Sequence, residues 1–241
     1  MKSKTKWSAQ LIMVLLCALA LKFFYSKASP DELRWILSPT TKLVELLSGR
    51  AFSFESHAGY MSSDHSFLIA ASCAGVNFLL TAFLMLTLKQ LWNSRAKAPR
   101  WQFLPLTAGI AYVTTIVANT VRIYVALQMQ GWRSEGLNHN EIHRIEGIVV
   151  YFGFLLLLYW LTEPARSKET MLQRLSFPLV IYYATTLAMP FFNGAYKQGT
   201  EFWQHSAFVF VLPLLLIAPV TLIRQTLRYA SACRGLKNSR L

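Results

Sequence analysis

Charge is scarce in this chain, and acidic charge scarcest: 11 Asp and Glu stand against 24 Lys and Arg in 241 residues, and charged residues make up only 15%. A soluble domain of this length carries more charge and fewer unbroken apolar runs, so the composition argues against one. Cysteine is also sparse. Cys17, Cys73 and Cys233 lie far apart, in or beside hydrophobic segments, which leaves neither a disulfide framework nor a CxxC metal site. Each is a small packing residue or a reactive thiol. There is no internal repeat and no low-complexity tract. The net charge of +13 does not mark a nucleic-acid binder, because the basic residues form short clusters between apolar segments rather than one charged face. Membrane lipid, through its anionic headgroups, and the rules of insertion account for that arrangement better.

What the chain has in excess is hydrophobicity, at 54% of residues. Runs long enough to cross a bilayer fall near residues 7–25, 67–88, 103–127, 145–161, 177–192 and 206–223. They predict an all-α fold: a polytopic bundle of about six transmembrane helices in a single integral membrane domain, 1–241. The fifth run is short and ends at Pro190, while Pro213 and Pro219 are tolerable kinks in the sixth. A cytoplasmic N-terminus puts inside Lys2, Lys4, Lys6, Lys89, Arg95, Lys97, Arg100, Arg166, Lys168, Arg174 and the basic residues from Arg224 to Arg240. The outer segments, though longer, then hold only Lys27, Arg34, Lys42, Arg50, Arg133, Arg144 and Lys197. The location expected is the cell inner (cytoplasmic) membrane. The first span, 7–25, with Ser26-Lys27-Ala28 after it, also has the form of a cleavable signal peptide. The outer loop, 26–66, carries apolar residues at helical spacing from Leu33 to Leu47, fitting either an amphipathic piece on the outer leaflet or a partly buried lid. Residues 67–161 form the core helices that carry the chemistry below, and 177–223 the last two spans.

Ionisable groups inside membrane helices are costly, which makes them candidates for function. Arg122 lies about five residues from the outer end of the third span, roughly 7 Å deep at helical rise. Asn119, three residues earlier, shares its face. Cys73 lies six residues into the second span, roughly 9 Å deep, with Asn77 at i+4 on the same face. His143 stands at the outer end of the fourth span. Three helices thus bring a thiol, a guanidinium and an imidazole to one shallow layer. Alone, each has an ordinary explanation: core packing for the cysteine, an interfacial position for the histidine, snorkelling for the arginine. Together they fit nucleophilic catalysis. A thiolate attacks a carbonyl, an imidazole moves the proton, and a fixed guanidinium stabilises the oxyanion.

In this order, Cys73-Ala74-Gly75, Asn119-Thr120-Val121-Arg122-Ile123 and His143-Arg144-Ile145-Glu146-Gly147 resemble the motifs of the exosortase/archaeosortase family of membrane cysteine transpeptidases. The resemblance runs from Cys73 to about Leu161 and is nearest the compact K-type exosortases. It implies Cys73 as nucleophile, Arg122 as transition-state stabiliser and His143 as general acid/base, with Asn119, Asn77, Gly75 and Gly147 in support. It requires no cofactor and no metal. The substrates it implies are exported proteins with a tripartite C-terminal sorting signal, cleaved on the extracytoplasmic side through a Cys acyl-enzyme and passed to an unknown acceptor nucleophile. Many family members carry serine after the cysteine, where this chain has Ala74.

Two other readings compete. His139 and His143, with Glu141 and Glu146, could hold a metal, but the spacing is not HExxH and no third ligand is evident. A small transporter or adaptor could use Arg122 to bind an anion, although such sites favour the midplane and internal symmetry. Among the remaining histidines, His57, His65 and His205, only His65 is placed to act as an alternative base, and Glu163 reads as an interface anchor.

Overall fold

The computed structural model describes residues 2–93, 102–130, 139–163, 171–192, 195–200 and 202–219. Arg95, Lys97, Arg100, Arg133, Asn138, Arg166, Lys168, Cys233, the basic residues from Arg224 to Arg240, the end of the predicted last span at 220–223 and the side chain of His139 lie outside the described residues. The long helices are α1 (Lys2–Tyr25), α3 (Val76–Asn93), α4 (Phe103–Gln128), α5 (His139–Leu161) and α8 (Phe202–Pro219), with α2 (Arg34–Ser48) between the first two.

Among the described residues five helices are long and apolar enough to cross a membrane, over Trp7–Lys27, Ala71–Trp92, Phe103–Gln128, Glu141–Leu161 and Phe202–Pro219. The predicted segment 177–192 is not among them, so five of the about six expected spans stand among the described residues. There the helix is broken into α6 (Met171–Tyr183), a π turn (Ala184–Ala188) and α7 (Met189–Phe192). Pro178 lies inside α6. In the wide π turn, the Thr185 and Thr186 hydroxyls donate to the carbonyls of Ile181 and Tyr182, at 3.0 and 2.6 Å. Because lipid tails are as apolar as leucine, α1 can leave Ile12, Leu16 and Leu19 more than half exposed. Close packing and interhelical polar contacts hold such a bundle together. Thr87 meets Thr107 at 3.2 Å between α3 and α4, and the Trp7 indole N–H donates to the Leu91 carbonyl at 3.2 Å. At that end Glu163 is more than the expected interface anchor: it pairs with Lys89 at 2.6 Å, and the Lys89 ammonium sits 3.9 Å from the Tyr159 ring centre.

At the opposite end, where α1 finishes and α3 begins, the segment expected to be mostly loop is built. α2 lays Ile36, Leu37 and Val44 against α4, and the Tyr112 hydroxyl donates to the Trp35 carbonyl at 2.7 Å. Leu43, Leu46 and Leu47 are left exposed, as is part of Trp35, whose ring stacks on Tyr112 at 5.7 Å. Three short antiparallel strands follow, β1 (Phe52–Glu55), β2 (Gly59–Ser62) and β3 (Leu68–Ile69), in the order β1-β2-β3. Gly59 is required at the turn: its φ is +125°, and a Cβ there would strike the Ile69 carbonyl oxygen. Among the described residues this sheet is where the fold departs from the all-helical expectation, and it delivers the chain from β3 straight into the turn that holds Cys73.

Candidate active site

Cys73 does not lie six residues inside a helix. It sits in a 3₁₀ turn, Ala71–Ala74, just before α3. Gly75 ends that turn at φ +70°, and a Cβ there would lie 3.2 Å from the Asn119 Cγ and 3.3 Å from the Thr115 Cγ2. Glycine supplies both the left-handed conformation and the close approach to α4. The break also separates Cys73 from Asn77, which were expected on one face. Asn77 accepts a hydrogen bond from the Lys22 ammonium at 2.6 Å and borders a different cavity from Cys73. Ala74 is fully buried, so a serine hydroxyl at that position would point into packing. Ser72 is exposed and borders a cavity.

From Cys73 a continuous hydrogen-bonded relay runs through α4 and α5. Asn119, fully buried, donates from Nδ2 to the Cys73 carbonyl. Its Oδ1 accepts from the Tyr151 hydroxyl at 2.8 Å. Tyr151 in turn accepts from Arg122 Nη1 at 3.3 Å, and Arg122 Nη2 lies 3.0 Å from His143 Nε2. His143 Nδ1 is 3.2 Å from Glu146 Oε2. Guanidinium can only donate, so Nε2 must accept, which places the imidazole proton on Nδ1, facing the carboxylate. Gly147 leaves room for this arrangement: a Cβ there would stand 3.2 Å from Arg122 Nε. That Nε is buried and has no hydrogen-bond partner among the described residues.

The structure therefore gathers Cys73, Asn119, Arg122 and His143, with Gly75 and Gly147 as the backbone that lets them approach. Two members were not predicted in this role: Glu146, which entered the sequence reading only within the motif and as a possible metal ligand, and Tyr151. Glu146 lies at i+3 from His143, a spacing that puts it on the histidine's face. Tyr151 lies at i+8 from His143 and i+4 from Gly147, on the same stripe of α5, where the sequence alone does not separate it from the other aromatics of that helix. His65 is exposed in the turn after β2 and borders neither cavity described next. Among the described residues no group of three or more His, Cys, Asp or Glu is placed to hold a metal.

His143 forms part of the wall of two cavities. One, of about 260 Å³, opens among the transmembrane helices between Phe78, Ile148, Tyr182 and Val209, with Arg122 and Arg144 at its polar end. The other, of about 250 Å³, is bordered by Cys73, His143 and Glu146 together with Ser66, Met129 and Gln130, near the tip of α4. Beside Ser66, the carboxyl of Asp64 is held down to about 2, by the hydroxyls of Ser62 and Ser66, the Ser66 backbone N–H and then the nearby Arg50.

Asn119 holds the relay together, which makes its replacement informative. Asn119→Ala leaves the Cys73 carbonyl and the Tyr151 hydroxyl each short of a partner, at about 1–3 kcal/mol per buried group. The expected result is a lower thermal midpoint in detergent. With Cys17 and Cys233 replaced by serine, Cys73 should also be alkylated several-fold faster by a maleimide, since its turn is no longer pinned to α4.

A family model described as transmembrane exosortase matches residues 3–161. That range contains every member of the relay, whereas Tyr182 and Val209 of the larger cavity lie beyond it. Neither a curated protein nor a solved structure matches the chain.

Proposed function

The chain belongs to the transmembrane exosortase family, and from that premise we propose that it is a cysteine transpeptidase or protease, of the compact K type, that removes C-terminal sorting tails from exported proteins. Membership in the family implies a multi-pass membrane protein with peptidase-like chemistry and substrates that carry sorting signals. The finer assignment is of Cys73 as nucleophile, His143 as general acid/base and Arg122 as oxyanion stabiliser, on the extracytoplasmic face of the inner membrane. The observation that carries it is the contact of Arg122 Nη2 with His143 Nε2 at 3.0 Å, one helical turn from the asparagine that grips Cys73.

In this mechanism the helical part of the sorting tail enters the larger, mostly apolar cavity from the bilayer and presents its scissile carbonyl near Cys73. Arg122 leaves Nε2 of His143 for the carbonyl oxygen, which frees the imidazole to take the thiol proton. The sulfur attacks, and the guanidinium stabilises the oxyanion with two parallel donors. Collapse breaks the C–N bond, and His143 returns the proton to the departing amine. Glu146 keeps the imidazole in the tautomer this needs and stabilises its cation. The charge asymmetry of the loops supports the extracytoplasmic side.

The test is to map the C-termini of exported proteins by mass spectrometry in cells with and without the chain. The expected result is a set of proteins that lose a hydrophobic, basic-ended tail only when it is present. Identical termini in cells where it is expressed and inserted would remove the peptidase reading.

A further inference from the structure

Resting on that function, we infer that the smaller cavity is the acceptor site, and that Glu146 makes it one for a primary amine in its cationic form. Three observations carry this. First, the cavity has both Cys73 and His143 in its wall, so an incoming nucleophile there stands beside the acyl-sulfur bond and the base. Second, Glu146 is buried, with 6% of its side chain exposed, and only Oε2 is used, on His143. Its Oε1 has no hydrogen-bond partner among the described residues, although the residue borders the cavity. A carboxylate oxygen left unpaired in a buried setting is costly unless something occupies it. Third, the two cavities differ in charge. The larger one has Arg122 and Arg144 in its wall. Among the described residues that form the wall of the smaller one there is no Lys or Arg and Glu146 is the one carboxylate; at its Ser66–Gln130 edge the Arg50 guanidinium, which donates to both residues, is paired with Asp64. An ammonium is repelled from the first and attracted to the second.

The position also separates the two ligands of a transfer reaction. The tail occupies the cavity among the transmembrane helices. The acceptor enters beside Ser66 and Gln130, where the Gln130 amide donates to the Ser66 carbonyl at 3.0 Å, at the end of α4 that extends past the start of α3. His143, in both walls, serves cleavage on one side and transfer on the other. The second step balances as follows. The bound ammonium releases one proton to solvent, and the neutral nitrogen attacks the thioester carbon. The C–N bond forms as the C–S bond breaks. A second nitrogen proton passes to His143 Nε2 and on to the sulfur of Cys73, which leaves as the thiol.

The experiment uses the full-length protein in lipid nanodiscs with a tail substrate identified from the mapped termini. Methylamine, a cation at neutral pH, and hydroxylamine, largely neutral, are the acceptor probes, and products are counted against hydrolysis. The wild-type protein should form methylamide in a saturable way. In Glu146→Gln the methylamide-to-acid ratio should fall about tenfold or more, as expected for loss of a hydrogen bond to a charged group, while the hydroxamate-to-acid ratio changes less than twofold. Ile142→Lys, which sets a cation in the same wall, should depress the methylamide ratio alike and provides the test if Glu146→Gln does not fold. A carboxylate that only orients His143 slows every product equally; an unchanged methylamide ratio in either variant, or the absence of saturable methylamide from the wild type, overturns the acceptor site while leaving cleavage intact. A wild-type protein that does not cleave the tail overturns the peptidase function itself, and the acceptor site with it.

Discussion

Cys73→Ala will yield a folded, membrane-inserted protein that processes its substrates slower by roughly a thousandfold or more, the loss expected when a covalent nucleophile is deleted. The two halves of that outcome have separate causes. Insertion and folding survive because the grip on this turn is made through the backbone: Asn119 holds the Cys73 carbonyl, not its sulfur. The turn is closed by Gly75 and by the buried Ala74, and the Cys73 side chain is itself only partly buried. Removing one sulfur from such a position changes stability by about 1 kcal/mol or less. Activity fails because, among the described residues, no other thiol borders either cavity. Ser72, on the neighbouring turn position, has a hydroxyl whose proton is far harder to remove than a thiol's, and it borders the other cavity. The measurement pairs thermal unfolding in detergent with the yield of tail-free C-termini, and unimpaired processing by Cys73→Ala would end the covalent mechanism. Such a result would favour the anion-binding alternative, in which Arg122 matters and Cys73 does not.

How far the site could be read from the sequence depended on the kind of contact involved. Asn119 and Arg122 are three apart on one long apolar helix, so their shared face follows from helical geometry. The meeting of Cys73 with them did not. The second hydrophobic run was read as a helix from residue 67, yet its first residues pair as a strand of only two residues, too short for alternation to show. Gly75 then stops the 3₁₀ turn and lets α3 start at Val76, which places Cys73 at the mouth of a helix rather than within it. This moves the site outward relative to the predicted depth. Lys22 near the end of α1 reaches Asn77 near the start of α3, and Gly75 packs on Asn119. The nine residues of α4 that follow Asn119, up to Gln128, therefore rise about 13 Å beyond that level, in a helix against which α2 packs. Strands this short, built from FSFE and GYMS, owe their pairing to one another and to the close approach of Gly59 to the Ile69 carbonyl, which four-residue stretches of sequence do not announce. Tyr151 escaped notice for a related reason. An aromatic on a membrane helix is usually interfacial, and only its contacts with Asn119 and Arg122 separate it from its neighbours.

Arg122→Lys should lower the rate of processing by about 10²–10³-fold, the cost of losing an aligned oxyanion donor, although the charge is conserved. The guanidinium meets Tyr151 with one nitrogen and His143 with the other, and its carbon lies over the Tyr151 ring, 5.4 Å from the ring centre. An ammonium on a flexible stem can satisfy one of those partners at a time and cannot present two parallel donors to a carbonyl oxygen. If it pairs with His143, Tyr151 is left without its donor; if it pairs with Tyr151, Nε2 of His143 loses the contact that orients it. The defect should therefore appear in kcat with little change in KM, because the lost interaction develops only as the oxyanion forms. A simple role for positive charge, in drawing substrate to the site, predicts the reverse: Arg122→Lys near wild type, with any loss in KM. Gly147→Ala offers a graded version of the same experiment. Its new methyl would press on Arg122 Nε from 3.2 Å, shifting the fork by a few tenths of an ångström without altering its chemistry. A kcat defect of the same kind but smaller than that of Arg122→Lys would tie the rate to where the guanidinium points, whereas a wild-type rate in both variants would show that its charge alone is enough.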